Sequence, residues 1–146
     1  MPAPPLRIRA DDKEDLAVIA AAIQDAAFLM GDVVFDPKMR RLAVAMNRFR
    51  WEAAGKRGPF ERVRSALAME AVLGVKSRKV RLGARDAAGV LLDIAFDPGA
   101  EAPGGAIVMR LGGGGDIRLD VECIDVTLTD FGAPWPTPRR PDHERY

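Results

Sequence analysis

Hydrophobic residues recur first at helical spacing and then in strict alternation along this chain. An acidic stretch after residue 10 offers an N-cap, and apolar residues then return every three to four positions, which predicts a helix over residues 12–25. From residue 28 onward the period is two, which is typical of strands with one buried face. The alternating segments predict strands at residues 6–9, 28–35, 40–52, 62–76, 80–82, 90–96, 106–111 and 116–129.

The assignment of residues 62–76 and the changes of phase in the alternation need separate explanation. Residues 62–76 are rich in Ala, Leu, Met and Glu, which favour helix, but their apolar residues alternate strictly, so we predict a strand. In residues 40–52 the alternation changes phase between Met46 and Phe49, which predicts a β-bulge near Asn47. A similar change near Cys123 predicts a second bulge or bend.

One N-terminal helix followed by about seven strands predicts an α+β fold. Short turns between the strands favour mostly antiparallel pairing, and the phase changes suggest a curved sheet or a half-open barrel. We expect a single domain over residues 1–132. Residues 133–146 hold four prolines among charged residues and predict a Pro-rich mobile tail, although Trp135 is expected to fold back onto the end of the core.

Composition narrows the class of protein. The chain has 146 residues, 48% of them hydrophobic, and Cys123 is its only cysteine, which fits a reducing compartment without a disulfide. The apolar stretch before Met30 lacks the basic start and unbroken apolar run of a signal peptide, and no segment has the length of a membrane span. We therefore expect a cytoplasmic protein that does not bind membranes.

Few residues have the spacing that catalysis or ligand binding needs. The glycines at 112–115 precede a predicted strand rather than a helix, so they indicate a hairpin loop and not a phosphate-binding loop. His143, the only histidine, lies in the predicted tail. Asp116, Asp120 and Glu122 share one face of a strand with Arg118. A solvated face paired with neighbouring arginines is the stronger interpretation, and a divalent-ion site on the alternate carboxylates is the alternative. We predict no catalytic, cofactor-binding or metal-binding residues, and an enzyme is the less favoured class of protein.

Charge is distributed unevenly although the net charge is only +1. Residues 38–81 contain thirteen Lys or Arg against three Glu, a local balance of +10. Adjacent strands could present Arg48, Arg50, Arg62 and Arg64 as one basic patch, which we predict as the partner-binding residues. Pairing of these arginines with acidic strands of the same sheet is the stronger interpretation, and a patch that faces an anion is the alternative.

Several stretches resemble an uncharacterised family of small alphaproteobacterial proteins, a domain of unknown function. They are Asn47-Arg48-Phe49-Arg50-Trp51-Glu52, Arg62-Val63-Arg64-Ser65-Ala66-Leu67, Val75-Lys76-Ser77-Arg78 and Val121-Glu122-Cys123-Ile124. The resemblance extends over most of the chain up to Trp135. It implies a bacterial cytoplasmic protein and carries no known activity or catalytic residues.

Three hypotheses of function follow. The leading one is a non-catalytic binding or scaffold domain that contacts an acidic protein or another anionic partner through the basic strands. The alternatives are a small enzyme that acts on an anionic metabolite and a weak nucleic-acid binder. Exposed strand edges are also consistent with a homodimer.

Overall fold

The computed structural model describes residues 5–55 and 57–142 as an antiparallel sheet with one α-helix. The helix α1 is Lys13–Ala22, and the ten strands are β1 Arg7–Ala10, β2 Ala27–Leu29, β3 Val33–Asp36, β4 Arg41–Phe49, β5 Phe60–Met69, β6 Val72–Arg78, β7 Ala88–Pro98, β8 Gly105–Leu111, β9 Asp116–Val121 and β10 Val126–Thr137. Residues Met30–Asp32 and Trp51–Ala53 form 3₁₀ turns. Within the described ranges, no helix has the length and apolarity needed to cross a membrane.

The predicted fold class is wrong, because the chain is mostly β: 53% of the described residues are in strands and 12% in helices. The sequence pattern merged strands that the structure separates. Residues 28–35 are divided by a 3₁₀ turn, residues 62–76 by a turn in which Ala71 has a φ of 57°, and residues 116–129 by a loop after β9. Residues 80–82 do not form a strand. The antiparallel pairing, the strand assignment over most of 62–76 and the N-terminal helix, which Asp12 caps, are confirmed.

The strands follow the order β1-β10-β5-β4-β2-β7-β8-β9-β6, with β3 also paired to β4, and the sheet does not close. We call β1, β10, β5, β4, β3 and β2 the large half-sheet, and β7, β8, β9 and β6 the small half-sheet. Buried side chains from both halves form a single hydrophobic core together with Leu16, Ile19 and Ile23 of α1. The helix packs against β1 and β7. Each half-sheet therefore has an inner face on the core and an outer face turned away from it.

The chain continues in strand conformation beyond the expected domain boundary. Residues 133–137 were expected in the tail, but they form the end of β10, where Trp135, Pro136 and Thr137 pair with Arg62, Glu61 and Phe60 of β5. A register shift between Phe131 and Trp135 lets the proline-containing segment rejoin the sheet. His143 lies outside the described residues.

Candidate functional site

Arg48, the first of the predicted binding residues, lies on the inner face of β4 and is completely buried. The register between β4 and β5 runs without interruption from Leu42 to Phe49, so the predicted bulge near Asn47 is absent. Arg48 therefore shares the inner face with Leu42, Val44 and Met46. Phe49 is buried on the opposite face, where its ring contacts those of Trp51 and Phe60. Both apolar phases are buried, which explains the change of alternation without a bulge.

The guanidinium of Arg48 is bound by two carboxylates. Its Nε and Nη2 donate to the two carboxylate oxygens of Asp130 at 2.8 and 2.7 Å, and its Nη1 and Nη2 donate to Glu52 at 2.9 and 2.7 Å. Ser65 donates its hydroxyl hydrogen to Asp130 at 2.6 Å. Such bidentate pairs satisfy most donors of the fork-shaped guanidinium. Arg48 therefore serves the interior of the protein and is not presented to a partner.

These hydrogen bonds and the burial of the cluster determine the protonation states of Arg48, Asp130 and Glu52. Burial disfavours the charged form of Arg48, but the hydrogen bonds to Asp130 and Glu52 outweigh it and raise the pKa of Arg48. Burial alone would raise the pKa of Asp130, yet the hydrogen bonds from Arg48 and Ser65 hold that pKa below its ordinary value. The hydrogen bond from Arg48 also lowers the pKa of Glu52. All three groups are thus charged at neutral pH.

The other three predicted binding residues are nearer the surface and also have contacts within the chain. Arg50 donates to Glu61 at 2.6 Å. Arg62 and Arg64 lie side by side on the outer face of β5, where Arg62 donates to the backbone carbonyl of Asn47 at 2.9 Å and Arg64 to its side-chain oxygen at 3.0 Å. The structure therefore divides the predicted patch, with Arg48 on the inner face and Arg62 and Arg64 on the outer one. Internal pairing, the stronger interpretation from sequence, describes most of these contacts.

The outer face of the large half-sheet has an unusual composition. Its centre is formed by small uncharged side chains from three adjacent strands, which cross-strand pairing places in rows, and we call this set the Ala/Thr floor. All of its members are partly exposed, and α1 packs elsewhere. The floor consists of Ala43, Ala45, Ala66, Ala68, Thr127 and Thr129.

Larger side chains surround the floor. Phe131 is 45% exposed and Trp135 37% exposed, and they lie opposite Arg64 and Arg62 in the β10–β5 register. Val34, which is 59% exposed, borders the floor on β3 because it pairs with Ala43. The sequence did not single out Phe131 or the floor, and the expectation that Trp135 closes the end of the core is wrong. In the sequence, the alternation of Trp135 with Phe131 near the end of the last strand was the signal that could have assigned both residues to this face.

Besides Arg62 and Arg64 at one end of β5 and the Arg41–Glu70 pair at the other, charged residues on this outer face lie at its two edges. Arg7 and Arg9 of β1 are exposed, and they pair in register with Thr129 and Thr127 of the floor. At the opposite edge Asp32 and Asp36 bracket β3, and Asp32 lies 3.6 Å from Arg64. The face therefore has a basic edge, a neutral centre and an acidic edge.

The outer face of the small half-sheet provides a comparison within the same chain. Charged residues alternate along its strands and form ion pairs across them, between Arg78 and Asp116 at 2.7 Å and between Arg118 and Asp97 at 3.2 Å. This confirms the solvated face predicted for β9. The glycines at 112–115 form the β8–β9 hairpin loop as predicted. Cys123 lies in the loop after β9 and is partly exposed.

A hollow of about 490 Å³ lies between α1 and β7. Leu16, Leu92 and Phe96 form much of its wall, and Lys13 lies at one end, 5.8 Å from the centre of the Phe96 ring. None of the four predicted binding arginines lines it.

Three exposed acids at the start of α1, Asp11, Asp12 and Asp15, lie close together, and the charge of Asp12 raises the pKa of Asp15.

Comparison with known proteins places the chain in one family. Residues 6–143 match the family described as protein of unknown function DUF2948, and the chain belongs to that family. Neither the curated proteins nor the solved structures gave a match. The class that fold and surface define is thus a mostly β, single-helix protein of the DUF2948 family with an outer sheet face that is uncharged at its centre.

Proposed function

We propose that this protein is a non-catalytic binding domain that docks an acidic protein surface on the outer face of its large half-sheet. The contrast between the two outer faces carries the proposal. One is covered by charged residues in cross-strand ion pairs, as a solvated sheet face usually is. The other is neutral at its centre and has exposed aromatic and arginine residues around it.

This composition is that of a contact surface. Charged residues are depleted from the centres of protein interfaces, and aromatic residues and arginine are enriched there. The Ala/Thr floor has only short side chains, so a partner can approach the strands closely, while Phe131 and Trp135 offer anchors beside it. Arg7 and Arg9 give the β1 edge of the face a basic character that favours an acidic segment of the partner, and Arg9 also lies 3.7 Å from Asp125.

An enzyme that acts on an anionic metabolite is less well supported. Such an enzyme needs arginines that converge in a closed pocket beside a carboxylate of raised pKa. Here the predicted arginines lie on opposite faces of the sheet, and the pKa values of the two carboxylates that hold Arg48 are lowered. The hollow beside α1 is open and contains none of them.

Site-specific photo-crosslinking from each outer face tests the proposal. A photoreactive amino acid at Thr129 probes the floor, and the same amino acid at Val108 is the matched control, because Val108 is a partly exposed residue on the outer face of β8. Both proteins are irradiated in lysate of the native host, with and without nuclease. We expect nuclease-resistant protein adducts from Thr129 only, and weaker adducts when Arg7→Glu is added.

Each other outcome has a defined meaning. Adducts that disappear with nuclease and weaken steeply with salt would establish nucleic-acid binding instead. Equal adducts from Thr129 and Val108, or none from either position, would contradict a docking surface on the large half-sheet.

A further inference from the structure

We infer that the hollow between α1 and β7 binds an extended, uncharged peptide segment of a partner protein, which adds to the free edge of β7 as a further strand. None of the residues that line the hollow belongs to the Ala/Thr floor, so this site is separate from the proposed docking face. Three observations support the inference: the way β7 lines the hollow, the unpaired backbone of that strand, and the small uncharged wall that α1 provides opposite.

The hollow touches the edge of β7 and not one of its faces. Five consecutive residues of β7, residues 92–96, line it. Because successive side chains of a strand point to opposite faces, a surface that touches every residue in turn lies along the strand edge. β2 covers this edge only as far as Leu91, whose N–H donates to Ala26 at 2.9 Å and whose carbonyl accepts from Asp25 at 2.8 Å. From residue 92 onward, no strand of the described ranges pairs with this side of β7.

The pairing of β8 determines which backbone groups of β7 face the hollow. Leu111 of β8 donates its N–H to Gly115 on the β9 side at 2.9 Å, so alternate residues of β8 before it also face β9. The residues between them bond to β7, where Asp93 is the first partner in register. Ile94 and Phe96 therefore turn two N–H and two C=O groups away from β8 and toward the hollow. The main chain of an added strand provides partners for such groups.

The opposite wall is a stripe of mostly small, uncharged side chains along α1. Spacings of three and four residues place its members on one side of the helix. Native proteins often cover a free strand edge with a helix, but here α1 leaves a hollow of about 490 Å³ between itself and the edge. That volume is in the range of ligand sites, and short side chains leave room for a peptide backbone beside β7. The stripe consists of Leu16, Ala17, Ala20, Ala21 and Gln24.

The two walls match in direction and in length. Lys13 at the start of α1 lies 5.8 Å from the centre of the Phe96 ring, and the chain after α1 returns to β7 at Leu91, so helix and strand run antiparallel. The helix rises about 17 Å from Lys13 to Gln24, and the five strand residues extend for about 17 Å. The groove therefore accommodates about five residues of an extended chain. A segment antiparallel to β7 continues the row of β2, which is itself antiparallel to β7.

Charge specifies the ends of the segment and not its centre. Apart from Lys13, Asp93 is the one ionisable residue among the described residues that line the groove, and it lies 3.9 Å from Arg110. At the Phe96 end, residues 11–15 contain four carboxylates and one ammonium group, a balance of −3. We therefore expect uncharged residues along the groove and a basic residue at the N-terminal end of the segment, which antiparallel pairing places beside these carboxylates.

Peptide selection on the purified full chain tests the inference. A phage-displayed library of random octapeptides is selected on the wild type after depletion on Ala17→Arg, which places a long charged side chain in the groove. Peptides that add to the β1 or β6 edge bind both proteins and are removed by the depletion. We expect the enriched peptides to have β-branched or aromatic residues at alternate positions after an N-terminal Lys or Arg.

Fluorescence anisotropy with the best synthetic peptide measures the effect of the groove. Ala17→Arg should weaken binding by about tenfold or more, because the new side chain occupies the place of the peptide. Val18→Arg is the matched control, since Val18 is the next residue of the helix, is 53% exposed and does not line the hollow. It should leave binding unchanged, and circular dichroism checks that both variants are folded.

N-methylation of the peptide distinguishes strand addition from binding by side chains alone, and it uses the wild-type chain. In an antiparallel ladder every second N–H of the peptide faces β7. Methylation of these amides should each weaken binding by about tenfold or more, whereas methylation of the intervening amides should change it by about twofold or less. Equal effects in the two series would overturn the inference, as would a selection that enriches no peptide on the wild type over Ala17→Arg.

The outcome is independent of the proposed docking face. Peptide binding in the groove without photo-crosslinks from Thr129 would refute the docking face and leave the groove intact. Crosslinks from Thr129 without any groove-dependent peptide would overturn this inference and leave the docking face intact.

Discussion

Replacement of Arg48 by methionine, Arg48→Met, separates a structural role of this residue from a binding role. Arg48 is fully buried, and Asp130 is only 7% exposed. Methionine fills a similar volume but leaves the Asp130 carboxylate without its bidentate partner. Removal of one member of a buried ion pair typically costs about 3–5 kcal/mol, because the remaining charge is desolvated and uncompensated.

The expected loss is a large part of the total stability. A domain of this size has an unfolding free energy of about 5–15 kcal/mol, and at this length each kcal/mol lowers the melting temperature by about 2–4 °C. Arg48→Met should therefore lower the melting temperature by roughly 6–20 °C. Urea unfolding followed by circular dichroism gives the free energy of unfolding of the variant and of the wild type.

Arg64→Met is the matched control, because Arg64 is on the outer face of the neighbouring strand and its pair with Asp32 is long, at 3.6 Å. A pair of this kind contributes about 0–1 kcal/mol. The double variant Arg48→Met/Asp130→Leu should recover part of the loss, since it removes both buried charges together. Equal and small losses for Arg48→Met and Arg64→Met would refute the buried-pair argument.

Three further predictions concern acid stability, a crowded glycine and the helix cap. Asp130 has a folded-state pKa below its ordinary 3.8, so its contribution to stability is complete above that value and is lost as the pH falls through the folded pKa; Asp130→Asn should therefore show a smaller loss of stability between pH 5 and pH 2 in acid titrations. Gly105→Ala should destabilise by about 1–3 kcal/mol in urea unfolding, because its new Cβ would lie 2.6 Å from the Phe96 ring, whereas Gly74→Ala, with nothing within 4 Å, should change little. Asp12→Ala should cost about 0.5–1 kcal/mol through loss of the cap, and unchanged thermal unfolding would contradict that role.

Local signals predicted the elements that depend on local chemistry. The β3–β4 and β8–β9 hairpins and the capped helix follow from turn residues, alternation and an acidic first turn, all of which lie within a few residues of one another. The break between β5 and β6 was missed, and only a bulge or bend was predicted near Cys123, where a loop separates β9 from β10. They depend on Ala71 in a positive-φ conformation and on a loop between the half-sheets, neither of which periodicity records.

The candidate site depended on information that is distant in the sequence. Alternation alone does not show which face of a strand is buried when both faces carry apolar residues, as β4 does at Met46 and Phe49. Arg48 is held by Asp130, which lies 82 residues further along the chain. The Ala/Thr floor was not recognised because small residues give weak signals for either helix or strand and become a surface only when three strands align them.

The uneven charge distribution along the chain is resolved mainly by folding. In the described part of the basic segment 38–81, the six arginines named below have carboxylate partners, and four of those carboxylates come from outside the segment, so the acidic flanks neutralise much of the basic centre through tertiary pairing. The pairs are Arg40 with Glu122, Arg41 with Glu70, Arg48 with Glu52 and Asp130, Arg50 with Glu61, Arg64 with Asp32 and Arg78 with Asp116. Charge that is already paired contributes little to long-range attraction of an anion. Association through the outer face should accordingly depend on its neutral floor for affinity and on the edge charges for orientation, which favours a protein partner over nucleic acid.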